Sequence, residues 1–229
     1  FRDFELFGDS TPVAIVLDSL KAEGVACEWF DQVRIEPTDH SFQTAIAFAT
    51  QGKFDGYVAI GGGSTMDTAK VANLYATYPA DLLTYVNPPI GQGRLVPGKL
   101  APMIAIPTTA GTGSETTGVA IFDLEEMHVK TGIAHPYLRP LMAIVDPLNT
   151  RTQPRMVAAC TGWDVLCHAI ESLTALPFDQ RPAPESPAHR PAEDPVARPE
   201  ESGQREQQKG GEARRRRRKP CATQTGSRL

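Results

Sequence analysis

Two glycine- and hydroxyl-rich stretches and one acid–imidazole pair carry the residue types in this chain that can do chemistry. Phe54 to Lys70 reads FDGYVAIGGGSTMDTAK. Tyr57 to Ile60 is a short apolar, β-favouring run; Gly61, Gly62 and Gly63 follow, and Ser64-Thr65-Met66-Asp67 opens a helical period. A strand, a glycine turn and a helix N-terminus in that order suit an anion. Glycine lets the backbone approach a phosphate and take positive φ, and the first helical N–H groups point at the charge, aided by the macrodipole. Ser64 or Thr65 is the expected N-cap, with Asp67 near enough for a first-turn box. By itself such a turn serves equally well as a plain strand-to-helix connection.

The second stretch, Pro102 to Gly118, reads PMIAIPTTAGTGSETTG. Met103 to Ile106 is again a short apolar run, and Pro107 leads into a loop dense in threonine and glycine. Two strand ends with such loops can converge on one diphosphate at the carboxyl edge of a parallel sheet. Either loop alone is also explained as a helix cap.

Asp164 and His168 stand four apart in a helical pattern, so both side chains leave one face. A carboxylate and an imidazole at that spacing can chelate a divalent metal. Two ligands do not complete a site, since catalytic zinc normally keeps three from the protein. The alternatives are a first-turn cap at Asp164, three residues after Thr161, and a simple His168 pair with Asp164 or Glu171. His40, His128, His135 and His189 are scattered, and Cys160 and Cys167 read as core thiols rather than ligands.

The elements that would position these groups follow from period and punctuation. Val13 to Glu23 reads as an amphipathic helix stopped by Gly24, and Val25 to Val33 alternates as a strand. Pro37-Thr38-Asp39 signals a second helix, striped by Phe42, Ile46 and Ala49 and ending near Gly52. After the glycine turn and its helix, Pro88 to Gly98 is a surface loop. Val119 to Phe122 and Val129 to Ile133 form a hairpin, and Leu141 to Val145 a last strand closed by Asp146-Pro147. Strands alternating with helices imply an α/β fold with a parallel sheet and right-handed crossovers. From Pro154 the pattern turns helical, with Thr161 capping a helix whose apolar members are Val165, Leu166, Ala169, Ile170 and Leu173. The expected organisation is an α/β domain over 1–150, the start of an all-helical domain over 151–177, and a disordered tail over 178–229. That tail is rich in proline and poor in aliphatic residues, and it cannot bury enough apolar surface to offset its ordering entropy. Its arginine run, Arg214 to Arg218, suits nucleic acid or an import signal; the alternative is a solvated tail without function.

The 229 residues leave room for one good core or two small domains. An apolar content of 41%, a charged content of 22% and a mean hydropathy of -0.27 describe a soluble globular chain. The net charge of -4 argues against a general nucleic-acid binder. No apolar run is long enough to cross a membrane. The four cysteines show no CxxC spacing, so neither a zinc ribbon nor a redox motif is indicated, and reduced thiols are the expectation.

Three segments can be quoted in order: GGGSTMDTAK (Gly61 to Lys70), PTTAGTGSETT (Pro107 to Thr117), and DPLNTRTQP with TGWDVLCHAIES (within Asp146 to Ser172). Together they resemble the iron-containing, metal-dependent alcohol dehydrogenase family, closest to its hydroxyacid-oxoacid transhydrogenase branch, over roughly Ser10 to Phe178. The resemblance implies a parallel-sheet domain holding NAD or NADP and a helical domain holding a divalent metal, Fe2+ or Zn2+. Carried over by residue, Gly62, Gly63 and Ser64 would bind the diphosphate, with Asp67 at the head of that helix. Thr108, Thr109 and Thr112 would line the adenine and ribose side, Lys130 would meet the nicotinamide ribose, and Asp164 and His168 would be the first two metal ligands. The metal would act as a Lewis acid on the substrate oxygen, and the bound cofactor would relay hydride. A hydroxyacid such as 4-hydroxybutyrate would give up hydride to 2-oxoglutarate, yielding 2-hydroxyglutarate. Mitochondrial localisation and small hydroxyacid and oxoacid partners come with the resemblance, and homo-oligomerisation is a further expectation.

Two departures qualify it. Residues 1–11 do not reproduce the family's first strand, so Asp3 and Asp9 inherit no cofactor role. The pattern also departs at about Pro177, ahead of two further histidine ligands. The resulting expectation is a truncated or alternative product with most of the cofactor fold, half of the metal site, weak NAD binding and no appreciable turnover. The rival is a non-catalytic product, either a regulatory partner of a longer homologue or an unstable chain.

Overall fold

Capping groups decide where the first helices start. The Thr11 hydroxyl accepts from the Ala14 N–H (3.2 Å), Pro12 fills the first turn, and α1 runs Pro12–Ala22. Just beyond it, Gly24 turns the chain at φ 69°. Thr38 and Ser41 cap each other. The Thr38 N–H donates to Ser41 Oγ (2.8 Å) and the Ser41 N–H donates to Thr38 Oγ1 (3.3 Å), which opens α2, Asp39–Gly52. Thr38 is buried, so Thr38→Ala should cost about 1 kcal/mol. A urea midpoint unchanged in that variant would show that the box does not set the helix start.

The computed structural model describes residues 11–176 and Gln180. The expectations for Asp3, Asp9, the tail beyond Leu176 and the arginine run lie outside these residues, Gln180 apart. Among the described residues, no helix is long and apolar enough to cross a membrane.

After α2 come strand β1 (Tyr57–Gly61), helix α3 (Gly63–Thr77), strands β2 (Met103–Pro107), β3 (Val119–Leu124), β4 (Val129–Ala134) and β5 (Met142–Ala143), and helix α4 (Arg155–Thr174). β1, β2 and β5 form a parallel sheet in that order, with Tyr57 opposite Met103 and Gly61 opposite Pro107. β3 and β4 are the expected antiparallel hairpin, Val119 opposite Ala134 and Leu124 opposite Val129. The fold is therefore α/β with a parallel sheet, as the alternation of elements implies.

Most of the apolar core lies between α3 and the hairpin rather than on the sheet. Phe42, Leu74, Tyr75, Phe122 and Ile133 are buried together there, and the Phe42 and Phe122 rings sit 5.1 Å apart. A smaller cluster, Ala59, Met66, Met103 and Ala105, joins α3 to the sheet. Ala45, Ala49 and Ala72 let α2 and α3 pack closely. α3 is thus the central element, enclosed by sheet, hairpin and α2.

Four expectations are corrected. Val25 to Val33 is not a strand. Phe30 packs against Phe48 (centroids 5.2 Å), but Val25 (50% exposed) and Trp29 (47%) find no cover. Among the described residues the segment has no ladder partner, and a strand without one has no hydrogen bonds to hold it. The last strand is shorter than Leu141 to Val145. It pairs Ile104 with Met142 and Ala105 with Ala143 only, at a sheet edge where Leu141 and Val145 stay exposed. Thr161 does not start a new helix, because α4 runs through it, and its hydroxyl instead bonds back to the Ala158 carbonyl (3.3 Å). The apolar members of α4 are exposed, as are Cys160 and Cys167, which are therefore not core thiols.

Candidate functional site: the glycine turn and the threonine loop

The parallel pairing of β1 with β2 brings their carboxyl ends side by side, and with them the two candidate loops. The Thr108 N–H donates to the Gly61 carbonyl (2.9 Å), directly beyond the last register pair. Gly61 takes φ 156°, a conformation that side chains other than hydrogen rarely adopt. Gly62 is the N-cap of α3 and no side chain caps the helix, which corrects the expectation for Ser64 or Thr65. The Gly62 carbonyl accepts from Thr65 and Met66 N–H (3.1 and 3.2 Å), so Gly63 and Ser64 lie in the first turn, where helical N–H groups lack intrahelical acceptors. Gly62, in extended backbone (φ -83°), takes the cap position, so both hydroxyl residues fall inside the helix.

The threonine loop lies over this turn. A methyl group added at Gly62 would sit 3.2 Å from Thr109 Oγ1, and one added at Gly63 would sit 3.0 Å from Thr112 Cγ2. Glycine is what permits the approach. Gly62, Gly63, Ser64, Thr108, Thr109 and Thr112 are therefore brought together as the sequence suggests. Gly111, with φ 153°, in turn lies against Thr161 of α4, its added methyl 2.6 Å from the Thr161 carbonyl oxygen.

Ser64 Oγ accepts from the Glu36 N–H (3.3 Å). Glu36 has φ 53°, uncommon for a residue with a side chain. Its carboxylate is 3.5 Å from Lys130 Nζ, which also lies 3.9 Å from Asp123. Lys130 thus reaches the turn through Glu36, from β4. Both side chains are largely exposed, so the pair contributes little to stability.

Asp67 points elsewhere. Its Oδ1 accepts from the Ser114 hydroxyl (2.6 Å) and lies 3.4 Å from Lys70 Nζ, and its Oδ2 accepts from the Ile121 N–H (2.9 Å). Lys70 is fully buried and also donates to Ser114 Oγ and to the Val119 carbonyl, both at 2.7 Å. Burial pushes the Lys70 ammonium below its ordinary range, with the Asp67 charge opposing that shift. Burial likewise lowers His135, whose Nδ1 accepts from the Tyr137 N–H (3.2 Å). Sequence reading missed Lys70, Ser114 and Glu36. The signal for Lys70 was a cation three residues after Asp67, on a helix otherwise striped by Met66, Val71 and Leu74.

Asp164 and His168 face each other on α4, Oδ1 to Nε2 3.5 Å, both substantially exposed. Among the described residues no group of three histidine, cysteine or acidic side chains is placed to hold a metal ion.

A family model described as iron-containing alcohol dehydrogenase matches residues 4–147. The chain is 58% identical over 183 residues to a Mus musculus protein named hydroxyacid-oxoacid transhydrogenase, mitochondrial, covering 79% of this chain and 39% of the relative. It therefore spans about two fifths of the length of the curated relatives it matches. Among solved structures, an iron-containing alcohol dehydrogenase from Thermococcus thioreducens superposes with a TM-score of 0.66 at 31% identity, covering 72% of this chain and 45% of that one. A sulfoacetaldehyde reductase from Bifidobacterium kashiwanohense, solved with NAD+, superposes with a TM-score of 0.59 at 32% identity, covering 69% and 43%.

Proposed function

The chain belongs to the iron-containing alcohol dehydrogenase family, and from that membership we propose that it forms the nicotinamide-dinucleotide-holding part of a hydroxyacid-oxoacid transhydrogenase. The observation that carries this reading is the meeting of two loops at neighbouring strand ends, sealed by the Thr108 to Gly61 hydrogen bond. The glycine turn fits a diphosphate. Its helix is uncapped by any side chain, is fifteen residues long, and starts from backbone that approaches its surroundings more closely than a Cβ would allow.

In this reading Gly62, Gly63 and Ser64 hold the diphosphate through backbone N–H groups and the Ser64 hydroxyl. Thr108, Thr109 and Thr112 offer hydroxyls on the opposite wall, and Lys130 takes the ribose nearest the reacting carbon. Asp67 supports the helix from behind. When bound, NAD supplies a hydride acceptor and donor that relays between a hydroxyacid such as 4-hydroxybutyrate and 2-oxoglutarate. Asp164 and His168 are two donors of suitable chemistry on one helix face, fewer than a resident metal needs, so the described residues alone do not fit one. Mitochondrial residence, which the relatives' names carry, is part of the proposal.

Calorimetric titration of the purified chain with NAD and with NADP tests the reading. Saturable binding is expected, weakened at least about tenfold in Gly62→Val, whose branched side chain would collide with Thr109. A heat signal identical in both proteins, or none in either, would remove the cofactor function.

A second reading has one observation in its favour. The exposed apolar residues of α4 and of the β5 edge, Leu141, Met156, Trp163 and Leu173 among them, suit a non-catalytic partner of a longer homologous chain. Co-expression with such a homologue should then give a stoichiometric complex, and separate elution would dismiss it.

A further inference from the structure

Lys70 stands fully buried on α3, beside Met66, Val71 and Leu74. An apolar side chain of similar length would fill that space without taking a charge out of water, which is costly unless the charge is paired and its protons matched. The match here is complete, and it spans three elements. Of the three acceptors, Asp67 Oδ1 (3.4 Å) lies on α3 itself, Ser114 Oγ (2.7 Å) at the far end of the threonine loop, and the Val119 carbonyl (2.7 Å) at the first residue of β3. The Ser114 hydroxyl accepts from Lys70 and donates to Asp67 Oδ1 (2.6 Å), while its N–H donates to Thr112 Oγ1 (3.3 Å). Thr112 is the residue that lies over Gly63. A line of bonds therefore runs from the buried ammonium through Ser114 to Thr112, whose side chain packs against Gly63.

We propose that Lys70 is a positioning residue for the dinucleotide: through Ser114 it holds the Thr109–Thr112 segment against the glycine turn that the diphosphate would meet. This rests on the cofactor reading above. The loop contains two glycines in unusual conformations, Gly111 (φ 153°) and Gly113 (φ 63°), so its own backbone does little to fix it. The fixed point is the charged knot beneath.

Ser114→Ala isolates the claim, because it removes the link to the loop and leaves Lys70 with Asp67 and the Val119 carbonyl. In the full 229-residue chain, amide hydrogen exchange should show faster exchange in the segment from Thr108 to Thr117 only, with β1 and α3 unchanged. NAD affinity should fall about tenfold, as loss of one buried hydrogen bond implies. Ser114→Thr, which keeps the hydroxyl, should restore both. Unchanged loop exchange in Ser114→Ala would overturn the proposal, and so would exchange that rises equally throughout the chain. Should the unsubstituted chain take up no NAD while the loop alone loosens in Ser114→Ala, the cofactor reading falls and the positioning of the loop by Lys70 stands.

Discussion

Lys70→Met should lower the stability of the folded chain by about 3–5 kcal/mol, the range for breaking a buried pair from one side. Methionine fills nearly the same volume, so the loss is electrostatic. Asp67 keeps its negative charge at a largely buried position, and Ser114 and the Val119 carbonyl lose a charged donor. The measurement is a urea midpoint shift at unchanged slope. Adding Asp67→Asn should recover part of the loss, since no unpaired charge then remains, and a double variant no better than the single one would refute the pairing account. The sign of the pH effect follows from the same burial. Folding lowers the Lys70 pKa below its ordinary value of 10.5, with desolvation as the main cause and the Asp67 and Glu115 charges working against it. Between the lowered folded value and 10.5 the unfolded chain binds more protons, so stability rises with pH across that window. Below the window the group is charged in both states and contributes no slope. Lys70→Met should abolish the rise, and a variant that kept it would place its origin elsewhere.

Gly61→Ala should be the most damaging single change at the glycine turn. At φ 156° an L side chain is strained, at about 1–3 kcal/mol. Its Cβ would also sit 2.4 Å from Thr65 Oγ1 and 2.7 Å from Thr65 Cβ, and the second of these atoms cannot rotate away. Either the end of β1 or the first turn of α3 must move. The Gly61 carbonyl holds the Thr108 N–H, so the threonine loop moves with it. NAD affinity should drop by at least about a hundredfold, near 2.7 kcal/mol. Calorimetry on protein shown to be folded by circular dichroism gives the answer. A folded variant that binds normally would mean the diphosphate is not held at this turn.

What could be read in advance was whatever local chemistry determines. Pro37-Thr38-Asp39, the glycines before α3, and the two runs of Val119 to Ile133 each specify their own structure through caps, turns and period, and those elements stand where expected. The meeting of the two loops was legible too, because an apolar run ending in Gly61 and another ending in Pro107 imply parallel neighbours. Cover by other parts of the chain was not legible. Val25 to Val33 alternates acceptably, yet a strand exists only where a neighbour offers a ladder. Thr161 is a fair cap in isolation but stands mid-helix, where its hydroxyl serves the Ala158 carbonyl. Lys70 was hidden for the opposite reason: a lysine on a helix is normally solvated, and only tertiary contacts from Ser114 and Val119 make it an internal ion.

The order of strands also bears on how the site comes into being during folding. The β3–β4 hairpin joins segments close in sequence and can close early, whereas β1 cannot meet β2 until α3 and the long loop after it have been spanned. The glycine turn and the loop above it therefore remain apart through the first events of collapse. A ligand held between them can recognise only the finished domain, so its effect should be to slow unfolding rather than to speed assembly.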